Sequence, residues 1–350
     1  MMRLLLLLSP AANRVYAGSA DRLAAAELAV CTGLDSVAPQ RIAGVDYLGL
    51  DVPEADDGLL RTLARQSARL ALFEVVGEDF LRPIALPEVD ELDDDFVTIP
   101  KYQGKTNEQF TRLLLNVTLS QVTASPERPW TVLDPLCGRG TTASVAWSAG
   151  LDAAGVEADT KSVEAMAAFW KTWLRRKRLK HTADTTPVRR DGKSLGKRFD
   201  ATATLPGGRR AQFTVFTGDT RNSPALFGKR RFELIVTDAP YGVVHGSRAG
   251  REAPGSRDGS RSDVVGVAGK RDRSPAGLLR ESIPGWSRQL APGGALGLSW
   301  NTLGLPREDL AAMLTGAGLE VCQGQPWLEF SHRVDSSINR DLMVARKPAT

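Results

Sequence analysis

The stretch from Thr131 to Thr142 constrains this 350-residue chain more than any other. Thr131-Val132-Leu133-Asp134 is a short apolar run ended by an acid. Pro135-Leu136-Cys137-Gly138-Arg139-Gly140 follows, and helical patterning begins at Thr141 and runs to Ala149. A buried strand, a glycine-containing loop and a helix in that order open an α/β sheet whose ligands bind at the carboxyl ends of the strands. Gly138 and Gly140 let the backbone turn sharply and approach a ligand. Free N–H groups at the start of the helix point at the same place. A purely structural glycine turn is the plain alternative. A dinucleotide loop requires a third glycine, and Ser144 and Val145 stand where it belongs.

The acids at the strand ends narrow the choice. Asp134 repels a pyrophosphate but suits a cationic amino group. Ala153 to Glu157 reads as a second strand, and Glu157 is placed to accept hydrogen bonds from two ribose hydroxyls. Gln212 to Phe216 is the third. Thr217-Gly218-Asp219-Thr220 follows it and offers Asp219, with Thr220 beside it, to an adenine amine. The fourth, Glu233 to Thr237, ends in Asp238-Ala239-Pro240-Tyr241-Gly242. An amine attached to a heteroaromatic ring is a poor nucleophile because its lone pair is delocalised. Two acceptors for its hydrogens localise that pair, and the Asp238 side chain with the Ala239 carbonyl supply both. Pro240 stiffens the turn and Tyr241 offers a stacking face. An ordinary turn after a strand is the bland reading.

The loop at 134–142 resembles motif I of S-adenosylmethionine (SAM) dependent methyltransferases, in the Asp-Pro-x-x-Gly-x-Gly-Thr form of the amino-methyltransferases of DNA and RNA. Asp238-Ala239-Pro240-Tyr241 resembles the Asp-Pro-Pro-Tyr motif IV of that class, with Ala239 replacing the first proline. The resemblance implies a Rossmann-like seven-stranded sheet with a reversed final hairpin. It implies SAM as cofactor, held by Asp134, Pro135, Cys137, Gly138, Gly140, Thr141, Glu157, Asp219 and Thr220. It also implies that the segment before motif I, Tyr102 to Thr111, folds over the methionine end of SAM and uses Thr106. Read alone, Thr106 or Asn107 is an economical helix N-cap. The order of motifs over residues 100–346 is similar to the tRNA guanine-N2 methyltransferase family that carries a THUMP domain.

Residues 1–85 depart from that family's pattern. They read as a small α+β unit whose first strand is the run Leu4 to Leu8, ended by Ser9-Pro10. The apolar run is shorter than a signal-peptide core, and no stretch approaches the roughly 20 apolar residues of a bilayer span. Residues 1–100 hold 8 Arg and no Lys against 17 acids, whereas 171–280 hold 25 basic residues against 10 acids. That segregation points one basic face, 171–280, at a polyanion, RNA by the family likeness. Pro87 to Asp95 carries six acids in nine residues and reads as a self-repelling linker over 86–100. The remaining 101–350 form the methyltransferase domain, interrupted by Arg175 to Arg210, part hairpin and part loop, and by the Gly/Ser/Arg-rich Ser247 to Ser274.

Cys31, Cys137 and Cys322 are odd in number and widely spaced. They fit neither a disulfide framework nor a zinc site, and a reducing cytoplasm is the simplest home. Cys137 reads as a packing residue. His245 and the pair His332-Arg333 can line a substrate mouth, although an exposed loop histidine is the commoner case, and Trp300 borders the substrate or, more simply, reads as core. The expectation is therefore a SAM-dependent N-methyltransferase for a base amine, without metal and without membrane attachment. The alternatives are a methyltransferase for a protein amide or small natural product, and a non-catalytic SAM-binding protein.

Overall fold

The computed structural model describes residues 1–11, 13–77, 80–102, 105–124, 129–190, 193–241 and 275–349. His245 and the Ser247 to Ser274 segment lie outside the described residues.

The chain opens with Met2–Leu8 (β1), Arg14–Ala17 (α1), Ala20–Thr32 (α2), Ala38–Ile42 (β2), Val45–Val52 (β3), Asp57–Arg65 (α3), Arg69–Val76 (β4) and Phe80–Ile84 (β5). The five strands pair antiparallel in the order β2-β3-β1-β4-β5, so the leucine run is the central strand. Leu4 and Leu6 pack with Leu48, Leu50 and Leu72 against Ala24, Leu28 and Leu63 of the helices. Two strands escape the sequence reading, β2 with Pro39 and β5 with Pro83. Both are edge strands, where a missing N–H is tolerated.

Asp95–Thr98 (α4) and Glu108–Leu119 (α5) lead into Thr131–Asp134 (β6), Thr141–Ser148 (α6), Asp152–Glu157 (β7), Thr160–Arg176 (α7), His181–Arg190 (β8), Lys193–Thr204 (β9) and Arg210–Thr217 (β10). Ser223–Phe227 (α8), Phe232–Asp238 (β11), Pro275–Gln289 (α9), Leu290–Asn301 (β12), Arg307–Gly316 (α10), Glu320–Val321 (β13), His332–Arg333 (β14) and Asn339–Arg346 (β15) complete the chain. The second sheet runs β13-β15-β12-β11-β6-β7-β10-β9-β8. β10, β7, β6, β11 and β12 are parallel neighbours, and β15 enters antiparallel between β12 and β13. These seven strands have the expected Rossmann-like order with a reversed end.

Among the described residues the sheet carries ten strands, the seven of that core and three more. β9 pairs antiparallel with β10 and β8 with β9, so much of the stretch read as part hairpin, part loop extends the sheet. Its Thr- and Arg-rich alternation buries only one face, through Phe199, Ala201 and Ala203, which left no continuous apolar run to read. The short β14, paired to β15, is the tenth.

The acidic stretch behaves differently from a self-repelling linker. Asp90 accepts from Arg69 at 2.6 Å and from Arg112 at 2.5 Å, and Lys177 lies 2.6 Å from Asp93 and 2.8 Å from Asp95. Phe96 is fully buried, with ring centroids 4.4 Å from Trp173, 4.9 Å from Trp170 and 6.4 Å from Trp147. Opposite charges on the flanking elements neutralise what the stretch alone would repel, and one aromatic residue anchors it.

The N-terminal unit meets the large sheet through α2. Arg22 donates to the carbonyls of Ser331, at 2.6 Å, and Glu329. The buried Glu27 carboxylate accepts from Asn116 Nδ2 at 2.7 Å, Gln66 Nε2 at 3.0 Å and the Ser67 N–H at 3.0 Å. Burial pushes its pKa up to about 7. The Phe96→Ala substitution removes the anchor of the 86–100 stretch and is expected to cost about 3–5 kcal/mol, read as a lowered urea midpoint.

Candidate active site

The loop after β6 is stitched to the end of β7. The Cys137 N–H donates to the Val156 carbonyl at 3.0 Å, and the Gly138 N–H donates to Glu157 Oε2 at 2.8 Å. Glu157 Oε1 accepts from the Asp159 N–H at 2.7 Å, so both carboxylate oxygens are oriented by backbone donors. Gly138 has φ +52° and Gly140, the N-cap of α6, φ +83°, a region that an L side chain seldom enters. A Cβ on Gly138 would meet open space, whereas one on Gly140 would overlap Met166 Sδ. The first glycine therefore keeps a concavity clear, and the second lets α7 close on the loop.

Asp134 is 4% exposed. It accepts from Thr237 Oγ1 at 2.7 Å and from the Leu136 N–H at 3.1 Å. Burial pushes its pKa up to about 6; the Thr237, Leu136 and Thr142 donors oppose the shift and the Asp238 charge adds to it. Cys137 is buried and its thiol pKa is raised by burial and by neighbouring acids, which suits packing and not nucleophilic attack.

Asp238 ends β11, next to β6. Its Oδ2 accepts from Thr106 Oγ1 at 2.7 Å, the Tyr241 hydroxyl donates to both oxygens at 2.7 and 2.8 Å, and Ser299 Oγ donates to Oδ1. Arg340 Nη2 lies 3.8 Å from Oδ2. The Ala239 N–H is bound by the Ser299 carbonyl at 2.8 Å, which holds the turn. In the segment before β6, Asn107 is the helix N-cap, accepting from the Phe110 N–H, and Thr106 donates to Asp238.

One cavity of about 350 Å3 is lined by both groups: Thr106, Asp134, Cys137, Gly138, Thr141 and Glu157, together with Asp238, Ala239, Pro240 and Tyr241. Tyr102 and Arg139 also line it. The Tyr102 hydroxyl is 2.8 Å from Thr141 Oγ1, and the Arg139 guanidinium stands 4.9 Å from the Tyr102 ring centroid. A neighbouring cavity of about 360 Å3 shares Thr106 and is lined by Asn13, Val15 and Tyr16 of the N-terminal unit with Lys105, His332, Arg333 and Arg340. His332 is buried there against Tyr16, and burial pushes its pKa down to about 4.

Four sequence-predicted residues do not line the first cavity: Pro135, Gly140, Asp219 and Thr220. Pro135 is buried behind the loop. Asp219 caps the turn Thr220–Asn222 and pairs with Arg221 at 2.6 Å, and Thr220 Oγ1 accepts from Trp286 Nε1 at 3.1 Å. Local donors satisfy these groups where they stand. Sequence reading missed Ser299 and Arg340. Ser299 was findable as the residue paired with Asp238 across parallel strands, and Arg340 as a charge opening an apolar strand.

Among the described residues no group of three or more His, Cys, Asp or Glu is placed to hold a metal ion. No helix among them is long and apolar enough to cross a membrane. No protein-family model matches the chain, and no curated protein sequence does. Among solved structures the chain is similar to TrmN from Thermus thermophilus, at 12% identity over 99% of this chain and 100% of that one, with a TM-score of 0.44. It is also similar to the T. thermophilus 16S rRNA N2 G1207 methyltransferase RsmC in complex with AdoMet and guanosine (16% identity, 89% of this chain, 50% of that one, TM-score 0.37). A third is a TehB-like SAM-dependent methyltransferase from Corynebacterium glutamicum (15% identity, 64% of this chain, 82% of that one, TM-score 0.33).

Gly140→Ala imposes both left-handed strain and overlap with Met166. A loss of about 1–3 kcal/mol is expected, measured by chemical denaturation.

Proposed function

We propose that this chain is a SAM-dependent methyltransferase acting on an exocyclic amine of a nucleic-acid base, RNA before DNA. One observation carries the reading. The glycine loop with its two acids and the Asp238–Tyr241 turn line a single cavity, so a cofactor and an acceptor amine share one space.

The cavity's donor set fits SAM. Asp134 would hold the cationic amino group, and Glu157, already oriented by two N–H donors, the ribose hydroxyls. The clear space at Gly138 and the N-terminus of α6 admit the rest. Asp219, tied to Arg221, is not among the residues lining the cavity. When bound, SAM supplies an electrophilic methyl group.

The chain's own residues prepare the amine. Asp238 and the Ala239 carbonyl accept its two hydrogens, which turns the nitrogen lone pair out of conjugation and toward the methyl carbon. The free site holds the Tyr241 hydroxyl on both Asp238 oxygens, so the arriving amine takes an acceptor position from the tyrosine, whose ring then stacks on the base. Positioning and electrostatic support of the positive charge on nitrogen do the work, and Asp238 is the first acceptor of the departing proton. A base within a duplex must be flipped out to reach this turn. The basic end of α7, Arg175 and Arg176, and the adjoining 171–280 region would contact phosphates. The acidic N-terminal unit favours the second reading, a protein amide or a small molecule as acceptor.

Labelled SAM offered in parallel with tRNA, rRNA, DNA, protein extract and small molecules is expected to mark RNA; label in protein or small molecules alone rules the base out. Asp238→Ala is expected to abolish transfer while equilibrium binding of SAM persists, and turnover in that variant would falsify the acceptor role.

SAM affinity should also depend on pH through Asp134. Below about pH 6 its carboxyl is protonated and loses the attraction for the amino group. The Kd should therefore tighten as pH rises toward 6 and level off above it, by up to roughly tenfold per unit. Isothermal titration calorimetry from pH 5 to 8 measures this, and Asp134→Asn should flatten the profile.

A further inference from the structure

Arg340 is the least expected charge in the molecule. It lies on β15, two strands from Asp238, and is only 4% exposed. Its guanidinium stands 4.7 Å from the Phe110 ring centroid and 5.1 Å from that of Tyr241, and its Nη2 is 3.8 Å from Asp238 Oδ2. Its Nε has no hydrogen-bond partner among the described residues. The adjacent Asp341 makes the contrast: Arg307 binds its carboxylate at 2.5 Å, and the same carboxylate accepts from the Leu342 N–H at 2.8 Å. A buried guanidinium without a close hydrogen-bonded carboxylate is costly, and that of Arg340 faces the two side chains, Asp238 and Tyr241, that the end of β11 and its turn present to an acceptor.

We propose that Arg340 is a positioning residue that keeps Tyr241 and Asp238 in register for the incoming amine, an inference that rests on the reading of the site given above. Both rings approach the cation within the distance of a cation–π contact. The guanidinium thereby holds Tyr241 through its ring and through a hydrogen bond to its hydroxyl, which itself donates to Asp238. When the amine displaces that hydroxyl, the contact with Arg340 is what remains to keep the ring beside the carboxylate. A planar guanidinium serves this better than an ammonium because it can lie against a ring and face a carboxylate at once.

The geometry also supplies a test. Arg340 lines the second cavity, of about 360 Å3, so truncating its side chain opens a space that a small guanidinium can enter. The protein is labelled with 3-fluorotyrosine at its four tyrosines, and the Tyr241 resonance is assigned by its loss in Tyr241→Phe. In Arg340→Ala that 19F signal is expected to shift or broaden, and to return toward its original position with millimolar methylguanidinium. In the same variant kcat should fall about 100-fold, as expected when a reacting group is displaced by about an ångström. The KM for SAM should hold within about twofold, methylguanidinium should recover part of kcat, and Arg340→Lys should show less activity than Arg340→Ala plus methylguanidinium.

An unmoved Tyr241 signal in the variant, or a moved one that methylguanidinium does not restore, overturns the inference. If Arg340→Ala does not fold, Arg340→Gln, which keeps the stem but carries no guanidinium, is expected to shift the Tyr241 signal, and an unmoved signal overturns the inference. The 19F readout needs no substrate. Absence of methyl transfer by the unaltered protein therefore counts against the proposed function, and the tyrosine signal decides the role of Arg340 separately.

Discussion

Two carboxylates stand at the ends of adjacent parallel strands, and the rest of the site is arranged around making that tolerable. β6 and β11 pair in register at Leu133 and Ile235, so Asp134 and Asp238 both arrive at the carboxyl edge of the same sheet. Asp134 is buried and Asp238 half-buried, so each needs hydrogen-bond donors close at hand. Thr237 bridges from the residue before Asp238 to Asp134, and hydroxyls from Thr106, Tyr241 and Ser299 converge on Asp238. Each donor comes from a different part of the chain. The site is thus a meeting of the segment before α5, the central strands and the turn after β11, which no single one of them could build.

The N-terminal unit is part of this arrangement through packing. α2 reaches the end of the large sheet through Arg22, and Tyr16 closes an edge-to-face contact on His332 at 5.6 Å. Asn13, Val15 and Tyr16 form one wall of the cavity beside Asp238. The acidic strap at 86–100 adds Phe96 to the aromatic cluster of α6 and α7, within the same core cluster that holds Tyr16.

How much of this was readable in the sequence depended on whether the cause was local. Gly138, Gly140, Asp134 and Glu157 sit in a strand–loop–helix unit whose geometry their own residue types dictate, and the structure brings them together. Asp219 looked equivalent by position, and in the structure it pairs with Arg221, two residues on, outside the lining of the cavity. Arg340 and Ser299 act across strands far apart in the chain: a charge opening an apolar strand draws the eye to Arg340, but the register of the folded sheet is what sets Ser299 beside Asp238. The charge of the acidic strap misled for the same reason: the cations that neutralise it, Arg69, Arg112 and Lys177, are scattered over more than a hundred residues of sequence. The hairpin β8–β9 was read in part, but its polar alternation hid that it extends the main sheet, because strands near a sheet margin can bury only one side.

That hairpin has a further consequence. A sheet that ends on a long, regular strand offers its unpaired backbone to any other strand it meets. β8 is the last strand in the order, it is ten residues long, and it carries the exposed Pro187 within its span. The proline has no N–H to offer, and the strand also bears the exposed charged residues Asp184 and Arg189. The margin farthest from the cavity is therefore poorly suited to templating growth of the sheet into a neighbouring molecule, so ten strands can be displayed without inviting an eleventh.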